Sequence, residues 1–225
     1  MACELPPITW SILELLGQEE AAADLEIGGG IALWHYSPHR STNAIDARWL
    51  EESEGARNAI HRTMEAVAAS YSLELSHRSQ PGYESWDLKK HGKAVFAFQV
   101  ARKSIRVEPG KATWGHLRME SFSENLASKM NALVQRGAPR DILDVATVLK
   151  LGLASSHECW RLWKRKRQDV PLLAAQANVL KYLNALEARR PLNSITDPHE
   201  RALAQESRAS IRSLATLETE DAVGL

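Results

Sequence analysis

The sequence predicts an α+β fold: a small mixed sheet with flanking helices, followed by a helical carboxy-terminal half. Three observations predict it. Between Ala32 and Lys111, short alternating apolar and polar segments are separated by turn residues and interrupted by one helical stretch. After Pro109-Gly110 the alternation stops, and from Ser121 onward apolar residues recur at helical spacing with almost no strand signal. The length of 225 residues suits one compact unit with an appendage, or two small units. The expected division is a mixed αβ domain over 1–115 and a helical domain over 116–225.

The elements follow in order. Strands are expected at Asn43–Trp49, Ser72–Ser76, Ser85–Leu88, Ala94–Val100 and Ser104–Val107, with turns at Ser79-Gln80-Pro81-Gly82 and His91-Gly92. Ala59, Ile60, Met64, Val67 and Ala68 share one face of a helix from about Gly55 to Ser70. Ser121 followed by Glu124 is a capping box opening a helix to about Arg136, which Gly137 ends and Pro139 follows at the start of the next. Leu172–Ala188 and His199–Thr216 supply two further helices, broken at Arg189-Arg190-Pro191, and the chain is expected to fray from about Glu218.

Composition excludes several classes. With 44% hydrophobic and 25% charged residues the chain is globular, not collagenous or disordered. Lysine plus arginine and aspartate plus glutamate both total 28, so no global field draws it to nucleic acid or membrane. The charge is unevenly spread: residues 1–60 hold three arginines against ten acids, whereas Trp160–Arg167 is strongly basic. Cys3 and Cys159 are too few for a disulfide framework or a zinc site, which points to a reducing compartment. The Ile8–Gly17 stretch is interrupted by Glu14 and has no basic residues before it, so it reads neither as a signal peptide nor as a membrane span. A soluble, cytoplasmic protein with no membrane partner is expected.

Three patterns could carry chemistry. Gly28-Gly29-Gly30 precedes a helix-capable run, so backbone amides can converge on a phosphate at a helix amino terminus; equally, the glycines can be a flexible turn. Next, His39-Arg40-Ser41-Thr42-Asn43-Ala44-Ile45-Asp46 runs into a strand that puts Thr42, Ala44 and Asp46 on one face. Glu108, ending the Ile105–Val107 segment, could join Asp46 in an oxygen-ligand site for Mg2+ if the two strands are neighbours, or be a solvated strand end. Finally, Lys129, Arg136, Arg140, Asp141 and Asp144 collect charges of both signs around one helix junction, as surface salt bridges also do. In the basic run, Trp160 and Trp163 either pack inward or present a nucleic-acid stripe, and inward packing is favoured. His35 and Trp34 read as core and helix-face residues.

Together these patterns resemble the AbiEii family of nucleotidyltransferase-like toxins of type IV toxin–antitoxin and abortive-infection systems, over roughly Leu25–Leu149. Gly29-Gly30-Ile31-Ala32-Leu33 looks like the family's Gly-Gly turn, and His39–Asp46 like its His-Arg-x-Ser/Thr-x-Asp-φ-Asp strand, φ being apolar. Lys129, Ala132, Leu133, Arg136, Arg140, Asp141 and Asp144 match the family's last block almost position for position. The chain departs at one point: the first aspartate of the strand motif is Ala44. That leaves a pseudoenzyme, a site rebuilt around Asp46 and Glu108, or an alanine introduced to silence a toxic protein.

The resemblance implies a nucleotidyltransferase-like fold and transfer of a nucleoside monophosphate from a nucleoside triphosphate to an acceptor such as tRNA, impaired here by Ala44. The alternative it leaves is a non-catalytic binding subunit of a toxin–antitoxin or phage-defence system, with an antitoxin protein as partner. Gly29, Gly30, Arg40, Thr42, Lys129, Arg136 and Arg140 would bind the nucleotide, Asp46 and Glu108 would hold Mg2+, and Asp46, Lys129 and Asp144 would be catalytic. For Asp144, burial against a basic partner is an equally weighted alternative.

Overall fold

The computed structural model describes residues 4–102 and 105–218. Cys3, Ser104 and the fraying expected at the carboxy terminus fall wholly or largely outside them. The chain forms two compact units, one ending at Asn125 and the other starting at Leu126.

The first unit is an α+β layer structure. Its helices are α1 (Pro7–Gly17), α2 (Gly29–Tyr36) and α3 (Glu54–Ser70), with a 3-10 segment at Glu20–Asp24. Its strands are β1 (Leu25–Ile27), β2 (Ala44–Trp49), β3 (Glu74–Gln80), β4 (Tyr83–Lys90), β5 (Lys93–Ala101), β6 (Lys111–Trp114) and β7 (Leu117–Met119). They make one seven-stranded sheet in the order β3-β4-β5-β2-β1-β7-β6. β2 with β5 and β1 with β7 are parallel, and the other pairs are antiparallel, so the sheet is mixed. The β6–β7 hairpin runs across positions 115 and 116.

Alternation builds the core. Ile45, Ala47 and Trp49 of β2, Phe96, Phe98 and Val100 of β5, and Trp86 and Leu88 of β4 pack with Ile12, Leu13 and Leu16 of α1 and with the apolar face of α3. α3 starts where expected because the Ser53 hydroxyl accepts from the Ala56 amide, and it buries the stripe Ala56, Ala59, Ile60, Met64, Val67 and Ala68. The β4–β5 turn needs positive φ at both central residues, supplied by His91 and Gly92. Trp34 packs on this core and His35 is exposed.

The Ile105–Val107 segment is a correction: it is not a strand. Its polar groups are taken by side chains instead of a ladder. The Val107 amide donates to Glu124 Oε2 at 2.6 Å, the Gly110 amide to Glu26 Oε1 at 2.8 Å, and the Arg106 guanidinium pairs with Glu26. Glu108 therefore lies on a loop strapped to the sheet by buried carboxylates.

Helix α4 (Phe122–Gln135) opens on Ser121, whose hydroxyl accepts from the Glu124 amide at 3.1 Å. The second unit is helical: α5 (Pro139–Lys150), α6 (Ser156–Lys166), α7 (Leu172–Arg189), a 3-10 turn at Leu192–Ser194, and α8 (Pro198–Ala215). Pro139 and Pro198 stand in the first turns of α5 and α8, where a missing amide costs nothing. Trp160 and Trp163 are buried edge to face, and Trp160 Nε1 donates to the Leu214 carbonyl at 2.9 Å, so the tryptophans of the basic run pack inward. Among the described residues no helix is long and apolar enough to cross a membrane.

Candidate functional site

In the first unit the glycine turn and the motif strand meet. The Gly28 amide donates to the Asp46 carbonyl at 2.7 Å, extending the β1–β2 pairing to the start of α2. Gly29 has φ +58°, and a Cβ there would sit 2.7–2.8 Å from Asp46 Cβ and Cγ. Only glycine therefore tolerates both the backbone conformation and the approach of the Asp46 side chain. A Cβ on Gly28 would meet the Glu120 carboxyl at 2.7–2.8 Å, and one on Gly30 would lie 3.3 Å from Thr42 Oγ1 and 3.5 Å from Arg40 Nη2. Three consecutive glycines are thus flanked by a glutamate, an aspartate, and a threonine with an arginine.

The local chemistry of that turn follows from helix geometry. The first amides of α2 have no partner within the helix, and the helix dipole adds partial positive charge there. Thr42 is buried, with its hydroxyl bonded to the Ala44 carbonyl at 3.2 Å, which fixes the residue facing Gly30. The Arg40 guanidinium donates to the Ser41 carbonyl at 3.2 Å. Asp46 is exposed, whereas Ile45 and Ala47 on the opposite face are buried, so the strand presents Ala44, Asp46 and Arg48 together.

Sequence reasoning missed several residues here. Glu120 follows β7, its amide donates to the Ile27 carbonyl at 2.9 Å, and its side chain is fully buried. Asn125 bridges the site: Nδ2 donates to the Gly29 carbonyl at 3.1 Å and to Glu120 Oε2 at 2.8 Å. Arg48 places Nη2 3.3 Å from Glu120 Oε1 and Nη1 3.3 Å from Glu124 Oε1. Tyr36, at the far end of α2, donates its hydroxyl to the Glu120 carbonyl at 3.0 Å. Burial, then the negative charges of Glu120 and Glu108, hold its phenol above the usual range. The one signal for Glu124 in the sequence is the capping pattern, and it finds half of the role: the amide caps, while the carboxylate turns to Arg48 and Val107.

A pair of divalent ions needs several free carboxylates on one face. The residues here do not fit that requirement. Ala44 offers a methyl, and its partner across β5 is Ala97; the partner of Asp46 is Gln99. Glu120 and Glu124 are engaged by Arg48, Asn125 and the Val107 amide, and Glu108 Oε2 accepts from Ser121 Oγ at 3.1 Å. Among the described residues no group of three or more histidine, cysteine or acidic side chains gathers at metal-binding distance.

In the second unit the charged block forms two ion pairs. Lys129 Nζ lies 2.8 Å from Asp144 Oδ2, with the aspartate fully buried and the lysine nearly so. Arg136 grips Asp141 through Nε at 2.8 Å and Nη2 at 3.1 Å, joining the end of α4 to the first turn of α5. Arg140 is exposed beside it. Lys166 of the basic run is buried and donates to Ser128 Oγ at 2.8 Å.

No family model matches the sequence, and no curated protein matches it. Solved structures do. JHP933 from Helicobacter pylori superposes with a TM-score of 0.54 at 12% identity, covering 92% of this chain and 89% of that one. A nucleotidyltransferase candidate from H. pylori superposes with a TM-score of 0.56 at 14% identity, covering 92% of each chain. At such identities the likeness is one of fold, not of activity. The mixed sheet, the flanking helices and the helical second half are those of the nucleotidyltransferase fold.

Proposed function

We propose that the Gly28–Gly30 turn binds the phosphates of a nucleoside triphosphate, and that the chain is a nucleotidyltransferase-type protein whose transfer step is impaired by Ala44. The observation that carries the reading is the close approach of Asp46 to Gly29, with Thr42 and Arg40 against Gly30. A phosphate at this turn would be met by the amides of Gly29 and Gly30 and by the Arg40 guanidinium. Asp46 would orient an acceptor hydroxyl or take its proton, which a carboxylate can do when the hydroxyl is within hydrogen-bond reach. The Mg2+ expected at Asp46 and Glu108 finds too few free carboxylates, and the roles proposed are those of the protein's own groups. The triphosphate-neutralising role of Lys129, the phosphate contacts of Arg136 and Arg140, and a proton-accepting Asp144 rest on the sequence resemblance alone. So do the AbiEii membership, the toxin role, the tRNA acceptor and the antitoxin partner.

The test is incorporation of labelled nucleotide into tRNA by the full chain and by Ala44→Asp. The chain as it stands should transfer poorly or not at all, and Ala44→Asp should raise incorporation with at least one triphosphate. No gain with any of the four favours the second reading, a non-catalytic nucleotide-binding subunit of a defence system. That reading has its own support in the arginine that occupies the carboxylates beside the turn.

A further inference from the structure

Arg208 of α8 carries a buried charge that its neighbours do not balance. It is 6% exposed, and among the described residues no carboxylate pairs with it. A buried cation is costly without a counter-charge. The acids that share its hollows are already matched: Glu200 Oε2 lies 3.2 Å from Arg190 Nη2, and Glu187 Oε2 lies 2.7 Å from Arg212 Nη2. Arg208 Nη2 donates to the Arg190 carbonyl at the end of α7, at 2.7 Å. That bond holds the head in place, while its other N–H groups find no acceptor among the described residues.

The same guanidinium lines a cavity of about 150 Å³ that lies wholly within the second unit. Ile142 and Leu143 of α5, Leu186 of α7, Ile195, and Leu203 and Ala204 of α8 make its walls apolar. Ser207, the other buried polar residue of the lining, has a hydroxyl with no partner among the described residues. An apolar cavity of this size takes a benzene-sized body, and a guanidinium fork takes a carboxylate on two N–H groups. We propose that the cavity binds a small carboxylate with an apolar body of about six carbon atoms, the carboxylate on Arg208 and Ser207 and the body against Ile142, Leu186 and Leu203. The glycine turn belongs to the other unit, so this site stands or falls separately from the phosphate reading.

The experiment titrates the full chain at neutral pH with benzoate, benzyl alcohol and acetate in turn, followed by backbone amide and arginine Nε chemical shifts. Benzoate should saturate with a Kd of about 0.1–1 mM, with the largest shifts at Arg208 Nε, Ala204 and Ser207. Benzyl alcohol lacks the charge and acetate lacks the body, so each should bind about 10-fold or more weakly. Arg208→Gln should lose about 10-fold or more of the benzoate affinity, and Ala204→Phe, which fills the cavity and keeps the guanidinium, should abolish it. Because Arg208 also ties down the end of α7, circular dichroism checks that each variant is folded. Should either variant unfold, the three compounds on the unaltered chain decide. The proposal is overturned by benzoate that does not saturate by about 10 mM, or by shifts centred away from Arg208. Benzyl alcohol or acetate binding as tightly as benzoate overturns it too, as does a folded variant of either kind that keeps the benzoate affinity.

Discussion

At the scale of single residues, position 29 and the Lys129–Asp144 pair make the sharpest demands. Gly29→Ala would force a Cβ onto Asp46 and a side chain into the left-handed region. It should lower stability by about 1–3 kcal/mol in urea unfolding and abolish nucleotide binding. A loss of neither would mean that the turn relaxes freely. For Lys129 the sequence resemblance predicts a side chain that can be truncated with the fold intact. Its ammonium 2.8 Å from a fully buried carboxylate predicts otherwise. Lys129→Met should cost roughly 3–5 kcal/mol, because it takes the ammonium away from a fully buried carboxylate, and Lys129→Met with Asp144→Leu should recover much of the loss. An equally large loss in the double variant would show that the two residues act separately.

At the scale of elements, α3, α4, α5, α7, α8 and the longer strands were legible because periodicity and caps are local, whereas α1 was read only as a short apolar stretch interrupted by Glu14. Ser53, Gly137, Pro139 and the turn at His91-Gly92 each specify their element without help from the rest of the chain. β1, β6 and β7 were not legible: strands of three or four residues carry too short an alternation to read, and their pairing partners lie far away in sequence. Ile105–Val107 has strand-like residues, yet Glu26 and Glu124 capture its polar groups, and nothing local announces that capture. The same holds for the site. The glycine turn and the Asp46 strand could be read, whereas Glu120, Asn125 and the role of Arg48 depend on strands meeting in space.

Two predictions belong to this scale. Gly137, at φ +51°, ends α4 with Tyr182 Cγ 2.8 Å from where a Cβ would stand, so Gly137→Ala should destabilise the helical unit by about 1 kcal/mol or more in denaturant unfolding. An unchanged midpoint would mean that α4 does not need this termination. On α6, burial pushes the Cys159 thiol up to about 12. A thiol raised in the folded state keeps its stabilising protonated form below its ordinary pKa, so stability should be undiminished by this group up to about pH 9 and lost as pH rises toward 12. Cys159 should also resist iodoacetamide at pH 8.5 in the native chain, and rapid labelling there would contradict its burial.

At the scale of the whole molecule, equal numbers of acidic and basic residues remove any global attraction to polyanions, so recognition of a nucleotide must be built locally. The site proposed for it lies where α2 starts beside β2: Gly29 faces Asp46, Gly30 faces Thr42 and Arg40, position 44 carries a methyl, and Arg48 pairs with Glu120 and Glu124. The account therefore predicts a protein that holds a triphosphate better than it uses one. The most direct measurement is amide chemical-shift mapping of the full-length chain during titration with ATP, GTP, CTP and UTP in turn. At least one triphosphate should give saturable shifts, largest at Gly29 and Gly30 and shared by the Arg40 side chain. Titrations that leave Gly29 and Gly30 unmoved with all four would contradict the account.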